Sequence, residues 1–376
     1  MAFSLPNFSK LFAKETHSVL GVDIGSSSIK IVQLRREKGK AVLETYGAIS
    51  LGPYANVEIG RATQLPADKI TAALKDVIKE ANVTTTDAGI AIPYTSSLVT
   101  VIKLPAAVEG KLDQVMPLEA RKYIPVPITE VQLDWSLVSG GRGGSGTPQD
   151  KIEVMLVAIH NETIEKYRRI AADAALSVAF LEIEVFSATR ASLEHGIAPV
   201  AVVDFGAATT KFYVVERGII RESHIINRGS QELTLNAARA LNLTIIQAEE
   251  IKRKRGIATD AAAASEAVTG VAGKTIGDVQ QSFELSLSPL MVEISRTLLS
   301  FEQRMGQTIS SVVFTGGGSA LRGLKEYAQT KLEVEVQLAD PFSKVEVPAF
   351  LTSALKEIGP EFSVAVGLVL RRLQDL

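Results

Sequence analysis

Residues 19–32 read VLGVDIGSSSIKIV, and residues 201–215 repeat the pattern as AVVDFGAATTKFYVV. In both, an apolar run leads to Asp, one residue, Gly, four residues and Lys: Asp23, Gly25 and Lys30, then Asp204, Gly206 and Lys211. The apolar runs predict buried strands joined by a tight turn. Glycine lets a backbone approach a ligand, and turn N–H groups can surround an anion. One such hairpin is weak evidence for a ligand site. Two hairpins in matching context predict that two halves of the protein close on one phosphate-bearing ligand.

The composition indicates a globular α/β protein of two to three domains. The chain has 376 residues, 46% of them hydrophobic, and 28 glycines. A net charge of −2 argues against a nucleic-acid-binding protein, which usually carries a basic excess. The absence of cysteine excludes disulfides and thiolate sites and fits a reducing cytosol. No apolar run approaches the ~20 residues of a membrane span, and the N terminus lacks a signal-peptide core.

The first 17 residues allow two interpretations. Phe8, Leu11 and Phe12 could share one helix face, which would suit a membrane surface or a partner groove. The plainer interpretation, favoured by the short length and by Pro6, is a terminal segment that folds back on the domain or frays.

The first half of the chain predicts an α/β domain interrupted by an inserted unit. Residues 19–52 read as three strands, 68–81 as an amphipathic helix and 88–93 as a buried strand. Strand, helix, strand, strand and helix patterns then follow at 98–104, 108–123, 131–138, 152–159 and 162–175. The run GGRGGSGTPQ at 140–149 predicts a flexible polar loop. This excursion could hold a small core of its own.

The main α/β plan resumes with residues 180–193, and the second Asp–Gly hairpin follows. Helices are predicted at 229–241, 246–255, 283–305 and 363–373, and residues 258–277 predict a loop or loose connection. The strand 311–315 enters Gly316, Gly317 and Gly318, and Ser319 is predicted to open a helix through Lys331. Because a helix N terminus favours anions, this turn is a third ligand signal, and the three together predict a nucleotide site.

These three motifs, in this order, resemble the superfamily of actin, Hsp70 and the sugar kinases. The resemblance implies a two-domain actin-like (ribonuclease H-like) α/β fold with ATP and Mg²⁺ in a cleft between the domains. Asp23 and Asp204 would approach the metal, mainly through its waters. The residues that would contact the nucleotide are Gly25, Ser26, Ser27, Ser28 and Lys30 at the first phosphate loop, Gly206, Ala207, Thr209 and Thr210 at the second, Glu249 and Lys252 at ribose and adenine, and Gly316, Gly317 and Gly318 under adenosine.

Each assignment has a plainer alternative. Asp23 and Asp204 could simply cap turns, which is the usual role of Asp beside Gly. Lys30 could be a solvated strand residue. Glu249 and Lys252 lie in the charge-rich run AEEIKRKR and could form an exposed helix face.

The inserted unit at residues 98–175 indicates which branch of the superfamily the sequence resembles. Its position resembles the inserted small α/β subdomain of the FtsA proteins. EARKYIPVPITEVQLDWSLV at 119–138 and SVAVGLVLR at 363–371 resemble more specifically the PilM family of type IV pilus assembly proteins. The likeness covers nearly all of residues 19–373. The predicted organisation is an N-terminal segment (1–18), a first domain (19–96 and 179–199) with the inserted subdomain (97–178), a second domain (200–345) with a helical part at about 229–305, and a C-terminal return to the first domain (346–376).

The resemblance implies a cytoplasmic, ATP-binding adaptor of a pilus or a related type II secretion machine. Such an adaptor binds the cytoplasmic N-terminal peptide of a PilN-type bitopic protein, in a groove formed with the inserted subdomain. It would therefore lie at the cytoplasmic face of the inner membrane without inserting, and self-association stays open. The expected peptide contacts are Leu104, Tyr123, Ile124 and Pro125, whose alternative role is ordinary subdomain core.

Two other functions compete. An FtsA-like membrane-tethered filament would be expected to add a polar linker and an amphipathic helix, whereas this sequence stops at Leu376. A small-molecule kinase would need a base aimed at a substrate hydroxyl. Glu182 or Glu184 lies where relatives place a water-orienting or catalytic group, and Asp204 and Glu184 are the predicted catalytic residues. No sugar-binding constellation accompanies them, so hydrolysis is expected to be slow or absent.

Overall fold

Two five-stranded sheets of the same design organise the part of the molecule that the structure describes. The structure is a computed structural model and describes residues 17–138, 151–194, 196–257 and 276–375. The strands are β1 (Ser18–Ile24), β2 (Ser28–Glu37), β3 (Lys40–Ser50), β4 (Asp87–Ile92), β5 (Ser97–Pro105), β6 (Val131–Leu137), β7 (Lys151–His160), β8 (Ser177–Ile183), β9 (Val200–Phe205), β10 (Thr210–Glu216), β11 (Ile219–Ile226), β12 (Ser311–Thr315) and β13 (Val336–Leu338).

The two sheets repeat one topology. The first has the order β3-β2-β1-β4-β8 and the second the order β11-β10-β9-β12-β13. In each, an antiparallel three-strand meander is extended by two strands that run parallel to the meander's first strand. The repeat in the sequence is therefore a repeat of a whole sheet, and the two hairpins occupy equivalent positions in it.

Helices cover these sheets because their apolar residues recur at helical spacing. The helices are α1 (Ala67–Glu80), α2 (Leu112–Glu119), α3 (Asn161–Asp173), α4 (Glu184–Ser192), α5 (Gln231–Leu241), α6 (Ile245–Lys254), α7 (Ile276–Met305), α8 (Leu324–Leu332), α9 (Thr352–Ile358) and α10 (Ser363–Asp375). Within the described ranges, none of them combines the length and apolarity needed to cross a bilayer.

The inserted segment forms a third, antiparallel sheet of order β5-β7-β6. Its own core includes Ile102, Met116 and Leu156. The predicted helix at 162–175 is present as α3, but its buried face, with Tyr167 and Ile170, joins the core of the first sheet. The small sheet is thus attached beside the first domain, and a groove lies between them. The domain boundaries drawn from the sequence stay predictions.

The last helix returns to the first sheet. Val366 and Val369 of α10 share a buried cluster with Val19 of β1 and Val32 of β2. This packing places the C-terminal helix against the strands that carry the first hairpin.

Two predicted helices need correction. The helix expected to begin at Ser319 is instead a short 3-10 turn, Gly317–Ala320, and α8 begins only at Leu324. Gly323, whose φ is +82°, stands between them in a left-handed conformation that no α-helix continues through. The helix expected at 108–123 is divided into α2 and flanking 3-10 turns.

Three sequence predictions lie outside the described residues. They are the helix face with Phe8, Leu11 and Phe12, the glycine-rich loop at 140–149, and nearly all of the connection at 258–277.

Candidate functional site

The two Asp–Gly hairpins have the same geometry. In the first, Asp23 pairs with Lys30 across β1 and β2, and in the second Asp204 pairs with Lys211 across β9 and β10. The turns are closed alike: the N–H of the turn glycine donates to the carbonyl three residues later, at 3.0 Å in the first hairpin and 3.1 Å in the second. The shared spacing in the sequence therefore produces one shared local structure.

The hairpins line one cavity of about 580 Å³, a size suited to a small-molecule ligand. The predicted site residues on its wall are Asp23, Gly25, Ser26, Ser27, Ser28, Lys30, Glu184, Asp204, Gly206, Ala207, Thr209, Glu249, Lys252, Gly316, Gly317 and Gly318. Thr210 is the exception among the predicted residues. It is buried, and its hydroxyl donates to the carbonyl of Arg228 at 2.8 Å.

Buried charges of both signs meet at the floor of the cavity. Lys211 Nζ lies 2.9 Å from Asp204 Oδ2 and 2.9 Å from Glu184 Oε2. Burial alone would lower the pKa of Lys211, but the two carboxylates raise it above its ordinary value. Lys30 is buried and donates to the Ser28 hydroxyl at 3.0 Å, so the solvated-strand alternative for Lys30 is wrong.

Asp23 is a buried acid on the same cavity wall. Burial raises its pKa to about 6, although the positive charge of Lys30 opposes this, and the negative charge of Glu184 adds to it. A buried carboxylate of this kind is stabilised by any cation that enters the cavity.

The two carboxylates predicted to approach a metal, Asp23 and Asp204, both lie on the cavity wall. The described ranges contain no group of three or more His, Cys, Asp or Glu side chains arranged to hold a metal ion. Mg²⁺ keeps several of its waters and is commonly bound through one or two carboxylates together with phosphate oxygens. Asp23 and Asp204 on one cavity wall therefore fit a hydrated Mg²⁺ that accompanies a phosphorylated ligand.

The glycine turn after β12 packs tightly against the second hairpin. Gly316 has φ +84°, and a Cβ on it would overlap Oδ1 of Asp204. Its N–H donates to the carbonyl of Pro360 at 2.9 Å. Gly317, by contrast, faces the open cavity: a Cβ there would come no closer than 3.9 Å to Glu361. The prediction that a helix N terminus at this turn favours an anion is wrong, because α8 begins only at Leu324.

Glu249 and Lys252 form a buried ion pair on α6 at the other side of the cavity. Lys252 Nζ lies 2.7 Å from Glu249 Oε2, to which the Thr234 hydroxyl also donates at 2.6 Å. Burial would raise the pKa of Glu249, but Lys252 and the hydrogen bonds lower it. The solvated-face alternative is wrong, because both side chains are buried.

A loop from the first domain crosses to this side of the cavity. Gly60 adopts φ +87°, and a Cβ on it would lie 2.5 Å from Cδ of Glu249. The Ala62 N–H donates to Oε1 of Gln231 on α5 at 3.1 Å. This contact is not predicted from the sequence, where its one signal is a glycine between two strongly patterned elements.

Glu182 and Glu184 face different sides of the molecule. Glu184 Oε1 accepts from the Tyr94 N–H at 2.7 Å, while its other oxygen binds Lys211 in the cavity. Glu182 instead binds Arg190, Arg371 and the Ser187 hydroxyl, away from this cavity. The chain changes from strand to helix between Ile183 and Glu184, so the two acids do not share a strand face.

A second cavity, of about 820 Å³, lies between the inserted sheet and the first domain. Its mostly apolar wall includes Met155 and Val157 of β7, Ile164 of α3, and Val178 and Phe180 of β8. We call this cavity the insertion groove. Three arginines, Arg168, Arg190 and Arg371, lie at the groove with Glu182, and Arg371 stacks 4.5 Å from the centroid of the Phe180 ring.

The four residues predicted for partner contact do not line the insertion groove. Leu104 and Ile124 lie in the core of the inserted subdomain, whereas Tyr123 and Pro125 are exposed. Their role in binding a partner stays a prediction.

The family model described as type IV pilus assembly protein PilM matches residues 21–373. The chain belongs to the PilM family. The match spans both hairpins, the inserted subdomain and the C-terminal helix, so it confirms the resemblance drawn from the sequence.

Curated relatives of this PilM-family chain include cell division proteins FtsA. The FtsA of Helicobacter pylori J99 is 29% identical over 257 residues, which is 63% of this chain and 50% of that protein. The FtsA of Rhizobium meliloti is 30% identical over 180 residues, 45% of this chain and 39% of that protein. The chain spans about half or less of the length of these relatives.

Solved structures show the fold. A PilM–PilN type IV pilus biogenesis complex matches with TM-score 0.75 and 24% identity, covering 94% of this chain and 98% of that chain. The ethanolamine utilization protein EutJ from Carboxydothermus hydrogenoformans matches with TM-score 0.54 and 18% identity, over 94% and 89%. MreB5 of Spiroplasma citri bound to AMPPNP matches with TM-score 0.55 and 12% identity, over 96% and 98%. The PilM-family chain therefore has the fold of the actin-like ATPases.

Proposed function

We propose that this PilM-family protein is an ATP-binding adaptor of pilus assembly that docks the N-terminal cytoplasmic peptide of a PilN-type inner-membrane protein. The observation that carries the nucleotide half of the proposal is the pair of equivalent Asp–Gly–Lys hairpins on one cavity of about 580 Å³. The adaptor would work at the cytoplasmic face of the inner membrane, held there by its partner.

In this proposal the two hairpins hold the phosphates. Lys30 reaches the phosphate chain from the first hairpin, Asp23 and Asp204 hold Mg²⁺ through water, and the Glu249–Lys252 pair contacts the sugar and base. Turnover is slow, because both carboxylate oxygens of Glu184 are already engaged and a carboxylate bound to Lys211 is a weak base.

A binding experiment tests the nucleotide site. The double variant Asp23→Ala, Asp204→Ala should lose affinity for fluorescent ATP with Mg²⁺ by roughly 100-fold, because it removes the acids that hold the metal. Asp113→Ala, at an exposed position of the inserted subdomain, is the control and should bind as the wild type does. Equal affinity in both variants would refute the assignment.

The insertion groove supports the docking half of the proposal. β8 is the edge of the first sheet, and β6 is the edge of the inserted sheet. Both strands line the groove. An edge strand offers unpaired backbone groups to an extended peptide, and the apolar wall offers pockets for alternate side chains. Membership of the PilM family, together with the PilM–PilN complex among the structural matches, supports a PilN-type peptide as the ligand.

A peptide titration tests the docking half. A synthetic N-terminal peptide of a PilN-type protein should bind the wild type with or without ATP. Ala179→Trp, at an exposed position of β8 on the groove wall, should weaken binding at least tenfold because the indole fills the groove. Ala354→Trp, equally exposed on α9 and outside the groove, is the matched control. Binding unaffected by Ala179→Trp would place the peptide elsewhere, for example at Tyr123 and Pro125.

The FtsA relatives support one alternative, a membrane-associated filament of cell division. ATP-dependent sedimentation of the protein with lipid vesicles would favour the filament, whereas peptide binding without such sedimentation favours the adaptor. A kinase is disfavoured by the engaged carboxylate of Glu184.

A further inference from the structure

The solvent-facing side of α7 carries an apolar stripe that nothing in the described structure covers. Leu285, Val292 and Leu299 are 67%, 55% and 53% exposed. Exposed aliphatic residues are common singly, but these three recur every seven residues and so share one face of the helix. None of the described residues that line the insertion groove or the cavity between the two hairpins belongs to α7.

The same face is almost uncharged. Its other exposed residues from 281 to 303 are Gln281, Ser288, Pro289, Arg296 and Gln303. A solvated helix face usually carries alternating charges, whereas depletion of charge together with a heptad repeat is typical of a face that meets another helix.

We propose that this face of α7 binds a second copy of this chain, as an antiparallel two-fold pair of helices centred on Val292. The apolar residues are placed symmetrically about that position: Leu285 precedes it by seven residues, and Leu299 follows it by seven. In an antiparallel pair, Leu285 of one copy therefore meets Leu299 of the other, and Val292 meets its own equivalent. A two-fold contact requires such self-complementarity.

Charge selects the antiparallel orientation. A parallel pair would set Arg296 against Arg296 of the other copy. The antiparallel pair sets it level with Ser288 of the other copy, one helical turn from Glu284, and so replaces a repulsion with an attraction. Gln281 and Gln303 then face each other at the ends of the stripe.

The proposed α7–α7 contact covers a short stretch of helix, so the two copies associate weakly. Pro289 lies within α7, and a long surface helix curves with its convex side toward solvent. Two such faces meet mainly around Val292. Interfaces below ~1,200 Å² are transient, so the pair forms at high local concentration, as on a membrane-bound assembly. The inference depends on neither nucleotide binding nor peptide docking.

Cysteine cross-linking tests the proposal cleanly, because the natural chain has no cysteine. Val292→Cys should form a disulfide-linked dimer under mild oxidation, since the two-fold axis brings the thiols together. A disulfide requires Cα atoms within ~7 Å. Ile246→Cys, at a position 66% exposed and outside the stripe, should cross-link at most at the background rate.

The orientation is tested with two further variants. Leu285→Cys mixed with Leu299→Cys should cross-link, whereas Leu285→Cys alone should not, because its two thiols would lie roughly 21 Å apart along an antiparallel pair. Cross-linking of Leu285→Cys alone would refute the antiparallel arrangement. Sedimentation equilibrium of the cysteine-free protein should show self-association that Val292→Lys abolishes and Ile246→Lys leaves intact. A wild type that stays monomeric at high concentration, or Val292→Cys that cross-links no faster than Ile246→Cys, would overturn the proposal.

Discussion

The cavity lined by the two hairpins and the insertion groove lie on opposite sides of one strand-to-helix junction, and they differ in how they are built. The cavity contains one local motif twice, and each of these two hairpins is made by residues close in sequence. The groove is assembled from six elements, β6, β7, α3, β8, α4 and α10, and the side chains that line it follow no shared motif. Glu184 binds Lys211 in the cavity, whereas Glu182 binds Arg190 at the groove. A motif made of local turns can therefore be predicted from residue spacing, whereas a site made between elements depends on how those elements pack.

The largest effect is expected from a substitution that strains the cavity wall. Gly316→Ala should destabilise the protein by about 3 kcal/mol or more, because the residue has a positive φ and its Cβ would overlap Asp204. The urea-unfolding midpoint and fluorescent-ATP affinity should both fall. Gly317→Ala, only one residue away but open to the cavity, should change stability by less than about 0.5 kcal/mol. Equal effects in the two variants would contradict the tight packing of the glycine turn.

A smaller effect is expected on the groove side. Glu182→Gln should cost about 2 kcal/mol, because Arg190 and Arg371 lose their shared carboxylate. Burial alone would raise the pKa of Glu182, but its arginine and serine partners lower it below the ordinary value of 4.5.

That pKa fixes how the effect depends on pH. A carboxylate with a lowered folded-state pKa contributes stability above its unfolded pKa, and loses it as the pH falls through the folded value. The stability difference between wild type and Glu182→Gln should therefore be constant above about pH 5.5 and shrink below 4.5. Glu165→Gln, exposed on α3, serves as the control. A difference independent of pH down to 3 would show that packing, and not charge, holds the site.

The smallest effect on stability is expected from Arg371→Lys, which should change peptide binding more than folding. Arg371→Lys should change stability by less than about 1 kcal/mol, because the side chain is 39% exposed and lysine keeps the charge. It should nevertheless weaken the PilN-type peptide several-fold, since lysine stacks less well on Phe180 and cannot make the planar arginine contacts. Calorimetric titration of both proteins measures this, and unchanged peptide affinity would remove Arg371 from the docking surface.

The residue pattern alone was enough to predict the two hairpins, the glycine turn and the family. These depend on short-range chemistry: strand periodicity, the conformational freedom of glycine and the fixed spacing from Asp to Lys. All but one of the nucleotide residues predicted in this way line a single cavity, although their roles stay predictions.

The folded chain, and not the residue pattern, settles which of two neighbouring glutamates faces the cavity, because β8 ends and α4 begins between them. It also placed Leu104 and Ile124 in a core, located the groove, and left the α7 stripe uncovered. A buried apolar residue and a partner-binding one have the same chemistry, so only the packing of distant elements distinguishes them. Local patterns specify elements, and the contacts between elements decide which surfaces remain for a partner.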